Sequence, residues 1–125
     1  MDAVDFEREF PDLQPKILAM AAGLQHLVLS IFPTAEITLD DENVGYGFGS
    51  GYKDLVFVIT PYSKHVNLGI ANGAALADPK SLMQGKGKVH RHVKLHKIEM
   101  VSDPDLADLM GRALTAAQKR IQRDA

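Results

Sequence analysis

"LVFVITPYSKHVNLGIA", residues Leu55–Ala71, decides the fold. Leu55–Thr60 is a nearly unbroken apolar run of β-branched and aromatic residues. It is too short for a helix and has the character of a strand covered on both faces. Pro61-Tyr62-Ser63-Lys64 has turn chemistry, and from His65 to Ala71 apolar residues alternate, so the chain returns as a second strand. A strand, a tight turn and a strand make an antiparallel pair, and the rest of the chain is read outward from it.

Upstream, Ala35–Leu39 and Val44–Phe48 are two further strand segments, with the acidic Asp40–Asn43 suited to the turn between them. Before these the period lengthens. Ile17, Met20, Ala21, Leu24, Leu27, Val28 and Ile31 recur at three- and four-residue steps, which predicts an amphipathic helix. Asp12 is its expected N-cap, Pro15 fits the first turn, and Pro33 ends it. An acidic arm, about residues 1–11, precedes it. Downstream, Asp78-Pro79 predicts the start of a short helix through Met83, closed by Gly85. Lys88 to Ile98 is the fifth strand. The chain closes as it began: Ser102 or Asp103 caps a helix with Pro104 near its first position. Leu106, Leu109, Met110, Ala113, Ala117 and Ile121 form its stripe. The expected architecture is α+β, a mainly antiparallel sheet of about five strands with N- and C-terminal amphipathic helices packed on it.

The 125 residues suit one domain, 1–125. An apolar fraction of 46% with 24% charged residues describes a folded chain. Cysteine is absent, which excludes disulfides, thiolate catalysis and Cys-based metal sites. The net charge of −2 provides no global basic field for nucleic acid, tryptophan is absent and aromatics are few. No apolar run is long enough to span a bilayer and the start is acidic rather than signal-like, so a cytoplasmic location with no membrane partner is expected.

Chemistry concentrates in "GKGKVHRHVKLHKI", Gly85–Ile98, which has five Lys/Arg, three His and no acid. Strand alternation puts Val89, Arg91, Val93, Leu95 and Lys97 on one face. Lys88, His90, His92, Lys94, His96 and Ile98 share the other. A solvated basic face is the commonest reason for such a pattern. A metal site is disfavoured by Lys94 among the imidazoles and by the lack of a carboxylate on the strand. An anion site needs only backbone N–H groups near Gly85–Gly87 together with Lys86, Lys88 and Arg91. The phosphate-loop pattern fails, because Gly85-Lys86 is followed by Gly87. Gly45, Gly47, Gly49 and Gly51 are assigned turn and hairpin duty. His26 is read as a boundary histidine of the first helix, and no serine sits in a nucleophile elbow. Without a nucleophile–base pair, a non-enzymatic protein is expected, with neither cofactor nor metal.

The segments "KHVNLGI" (Lys64–Ile70), "GAAL" (Gly73–Leu76), "DPKSLMQGKGK" (Asp78–Lys88) and "RHVKL" (Arg91–Leu95), in that order, resemble the YdhG-like family, long catalogued as a domain of unknown function. The resemblance runs from about Leu13 to Ala117. It implies a small α+β fold with the terminal helices on an antiparallel sheet. It also implies that Lys64, His65, Asn67, Gly69, Gly73, Asp78, Gly85, Gly87, Lys88, Arg91, His92 and Lys94 hold family-typical positions, whereas His90 and His96 match no family motif. Some members are described as frataxin-like intracellular iron chaperones. That supplies the alternative reading, with Asp40, Asp41, Glu42 and the histidines handling iron. The leading expectation is a module that binds a small anion or an acidic protein surface through Lys64, His65, Asn67, Lys86, Lys88, Arg91, His92 and Lys94. An exposed sheet edge is available for pairing two copies into a homodimer.

Overall fold

A computed structural model describes residues 2–124; Met1 of the acidic arm and Ala125 lie outside the described residues. The elements in chain order are α1 (Phe6–Glu9), α2 (Pro15–Ile31), β1 (Glu36–Leu39), β2 (Val44–Gly47), β3 (Leu55–Pro61), β4 (Val66–Ile70), β5 (Met83–Gln84), β6 (Arg91–Leu95) and α3 (Pro104–Asp124). Short 3-10 turns cover Tyr52–Asp54, Gly73–Ala75 and Ile98–Ser102. The six strands form one sheet in the order β1-β2-β3-β4-β6-β5, and every neighbouring pair is antiparallel. The fold is therefore α+β as expected, with one strand more than the sequence suggests.

Both long helices contact β3, and the apolar stripes explain why. In α2, Ile17, Met20, Ala21, Leu24 and Val28 are buried; in α3, Leu106, Leu109, Met110, Ala113 and Ala117 are. They meet the sheet face built from Ile37, Val44, Tyr46, Phe57, Ile59, Val66, Leu68, Ile70, Val93 and Leu95, all buried. The register places these residues opposite one another: Tyr46 pairs with Phe57, Ile59 with Leu68, and Leu68 with Val93. Burying each such side chain contributes about 1.5–3 kcal/mol against the entropy of ordering the chain. Gln25, the one buried polar or charged residue among the described residues, stitches three elements together. Its Oε1 accepts from Val4 N–H at 2.9 Å and from Tyr46 O–H at 2.7 Å, and its Nε2 donates to Val4 C=O at 2.9 Å. Burial raises the proton affinity of the Tyr46 phenol well above its ordinary value.

Several local readings are corrected. β3 is covered by helices on one face only, and Leu55 and Val58 stay half-exposed on the other. A bulge lies between β2 and β3: Tyr46 pairs with Phe57 but Gly47 with Leu55, so Val56 is the extra residue. Gly45 and Gly47 therefore lie within a strand rather than in a turn. A Cβ on Gly47 would stand 2.5 Å from the Asp54 carbonyl oxygen, and one on Gly45 2.7 Å from Leu55 Cδ2. The first helix is not capped by Asp12; Gln14 holds the cap position without a side-chain bond, and Pro15 opens the helix. The acidic arm contains the short helix α1, which Asp5 starts by accepting from Arg8 N–H and which buries Phe6.

The helix expected after Asp78-Pro79 is absent. The Asp78 carboxylate instead accepts from the N–H groups of Leu82 and Met83, at 2.9 and 2.8 Å, and Ser81 adopts φ +54°. That turn delivers Met83 and Gln84 to β6 as the edge strand β5. β6 is shorter than the predicted Lys88–Ile98. It starts at Arg91, after the loop through Gly85 at φ +115°, and from Ile98 the chain turns as a 3-10 segment. At Asp103 the reading holds: its Oδ1 accepts from Asp105 N–H at the start of α3. No helix among the described residues is long and apolar enough to cross a membrane.

Candidate functional site on the open sheet face

With both helices on one side, the opposite face of β4 and β6 is free. Pairing of Asn67 with Lys94 and of Gly69 with His92 sets "KHVN" beside "RHVK". Within β6 the alternation is as read from the sequence: Val93 and Leu95 enter the core, while His92 and Lys94 face outward. His65 precedes β4 and stacks on Tyr62 of the same turn, with ring centroids 4.6 Å apart and planes at 19°. Its proton affinity is lowered from the ordinary 6.5, first by partial burial and then by Lys94, His92 and His96. Asn67 works in the opposite direction, favouring the charged imidazole. The same Asn67 holds a buried Oδ1 with no hydrogen-bond partner.

His65, Asn67, His92, Lys94 and His96 thus form one cluster across two strands. The ion pairs among the described residues are Arg8–Glu9 and Arg112–Asp108, so no carboxylate pairs with any member. The remaining candidates lie elsewhere. Lys64, Lys86 and Lys88 are exposed in loops at the cluster's margin. Arg91 falls on the opposite strand face. Its Cβ lies 2.9 Å from where a Cβ on Gly73 would sit, and its Nη1 donates to the His90 carbonyl at 3.3 Å. Gly85 lies against the His92 ring, because a Cβ there would be 3.4 Å from His92 Nδ1.

His90 leaves the set expected on one strand face. It precedes β6, accepts from Asn72 N–H at its Nδ1 (3.1 Å) and places its Nε2 3.3 Å from Tyr52 Oη. Asn72 sits in the left-handed region at φ +57°. With its amide oxygen turned towards α3, Asn72 accepts from the Arg120 guanidinium at 3.1 Å. No group of three or more His, Asp or Glu side chains among the described residues is placed to hold a metal ion. Asp40 accepts from Glu42 N–H and Asn43 N–H at 2.8 and 2.7 Å, which lowers its proton affinity and commits it to its own turn. His26 is exposed on α2.

Beside the cluster the sheet carries a cleft of about 210 Å³, lined by Tyr52, Leu55, Val58, Gly69, Ile70, Ala71, His90 and Arg91. Tyr52 and the apolar lining did not stand out in the sequence. The available signal was Gly69, a glycine in mid-strand, which marks a close approach by another group. Comparison with protein-family models, curated proteins and solved structures finds no significant match to this chain.

Proposed function

We propose that this chain is a non-enzymatic module that binds a small anion on the open face of β4 and β6, with His65, Asn67, His92 and Lys94 as contacts. The observation that carries the reading is the cross-strand pairing, which brings basic groups together with no carboxylate among their ion-pair partners. Like charges held this close repel, and an anion between them relieves the repulsion. Lys94 supplies a permanent charge. His65, whose proton affinity is lowered first by partial burial and then by its basic neighbours, takes up a proton more readily when an anion offsets the second of these. The unpaired Asn67 Oδ1 is then an acceptor for the imidazolium N–H. Lys64, Lys86 and Lys88, exposed in loops, add positive charge. The reading retains the YdhG-like resemblance and gives the residues it singles out a common purpose.

The test is a titration of the ¹⁵N-labelled chain with sodium sulfate at constant ionic strength, run at about pH 5.5 and about pH 8, across the range in which imidazoles titrate. Amides of Asn67, Gly69, His92 and Lys94 should shift together, with tighter binding at the lower pH. Lys94→Gln should weaken binding roughly fivefold, the equivalent of about 1 kcal/mol for one exposed charge contact. Shifts no larger than those of sodium chloride, or binding unchanged by Lys94→Gln, would refute the reading.

A further inference from the structure

We propose that the anion this face selects is amphipathic, with an apolar body one ring in size lying in the cleft over Gly69 and a carboxylate-type head at His92 and Lys94. The inference rests on the anion reading above and adds a specificity to it. Three observations carry it. The cleft floor is Gly69, and its walls are the side chains of Leu55 and Val58 and the Tyr52–His90 pair. At about 210 Å³ it exceeds the roughly 150 Å³ that accommodates benzene and falls short of the several hundred that drug-sized ligands fill. His92 is the register partner of Gly69, so their Cα atoms stand about 5 Å apart and the His92 side chain rises beside the floor, within reach of a head one or two bonds from the ring.

The second observation is exposure. Tyr52 is 75% and Val89 48% exposed, large apolar surfaces at the mouth of this cleft and of the hollow next to it. Aromatic side chains with a polar tip favour sites where one end becomes covered and the other stays wet. The third is orientation. His90 spends Nδ1 on Asn72 N–H, so the neutral ring carries its proton on Nε2 and donates to Tyr52 Oη. The phenol's own O–H is left unspent, and the ring is held edge-on to His90 at 88°. Charge complementarity commits the occupant to an acid: Arg91 lines the cleft, His92 is the register partner of its Gly69, and neither has a carboxylate as an ion-pair partner among the described residues.

The experiment titrates the labelled full chain with phenylacetate, acetate, benzyl alcohol and sulfate. Phenylacetate should shift Val58, Gly69 and Ala71 as well as His92 and Lys94. It should bind at least about tenfold more tightly than acetate or benzyl alcohol, because only it uses both the cleft and the charges. Gly69→Ala fills the floor, where the new Cβ meets Val58 Cβ at an ordinary 3.4 Å, so the strand is preserved. It should remove the advantage over acetate and leave sulfate binding intact, and Tyr52→Ala should do the same without touching the core. Sulfate binding that is weakened in Lys94→Gln, alongside phenylacetate no tighter than acetate, would overturn the inference and spare the anion reading. If neither sulfate nor either carboxylate binds, both fall. Resonances of Tyr52, Val58 and Gly69 that move with protein concentration alone would mean that a second copy covers the cleft, and would overturn the inference.

Discussion

Replacing Gln25 with leucine is expected to destabilise the chain by about 3 kcal/mol, and the way the loss is distributed is open to test. Three hydrogen bonds end on this side chain, two to Val4 and one to Tyr46. Each contributes about 1 kcal/mol net, and a buried partner left without a bond costs about 1–3 kcal/mol. Val4 could recover its bonds from water by lifting the arm. That would also expose Val4 and Phe6, both buried, at about 1.5–3 kcal/mol for each side chain. The two routes are close in cost, so the arm should fray rather than detach. Tyr46 has no such escape, because it is paired on both sides, with Ile37 and Phe57, and is fully buried. Its hydroxyl must remain unpaired in the variant.

Urea denaturation of four proteins measures this: wild type, Gln25→Leu, Tyr46→Phe and the double variant. Tyr46→Phe alone should cost about 1 kcal/mol. In the Gln25→Leu background the same change removes an orphaned hydroxyl and should gain about 1 kcal/mol, for a coupling of about 2 kcal/mol. A reversal of sign is the signature. If Tyr46→Phe had the same effect in both backgrounds to within about 0.5 kcal/mol, the claim that Gln25 pairs the arm with β2 would fail.

Two further outcomes follow from the site and the bulge. The His65 imidazole, followed by its Hε1 resonance, should titrate below the ordinary 6.5 in the free protein, and both Lys94→Gln and added sulfate should raise its midpoint. Because the folded affinity is the lower one, His65 gives its full contribution to stability above about pH 6.5. That contribution declines as pH falls towards the folded midpoint; a midpoint above 6.5 in the free protein would contradict the clustering. Gly47→Ala should lower stability by about 1–3 kcal/mol, because its Cβ would meet backbone, the Asp54 carbonyl, and not a movable side-chain end. An unchanged thermal midpoint would show that the bulge has room for it.

What was legible in the sequence is what depends on near neighbours. The turn at Pro61–Lys64, the stripes of α2 and α3, and the faces of Val93 and Lys94 all follow from local period and turn chemistry. What was not legible depends on partners far along the chain. The bulge at Val56 exists because the Asp54 carbonyl closes on Gly47, which no window around either residue reveals. Asp78-Pro79 is the same signal for a helix start and for a side-chain turn. Here the pairing of Met83 with Val93 gives the edge strand. The β6 alternation does not extend backwards to His90, because residues 85–90 are loop and not strand. The juxtaposition of His65 and Asn67 with His92 and Lys94 required knowing that β4 neighbours β6 and not β5.

The misreading of β3 bears on function. "LVFVIT" has the composition of a strand covered on both sides, yet helices cover one side only. An antiparallel sheet with one wet face ordinarily alternates apolar and polar residues. β4 keeps that rule with Asn67, and β6 keeps it with His92 and Lys94, but β3 breaks it with Val58 and with Leu55 lying over Gly45. These apolar groups gain nothing from water, and they stand in the one region of the open face where Gly69 leaves a hollow and a cationic cluster adjoins it. An apolar second cover is what the composition of β3 calls for. A ligand that supplies it with a ring and meets His92 and Lys94 with an acid satisfies both strands at once.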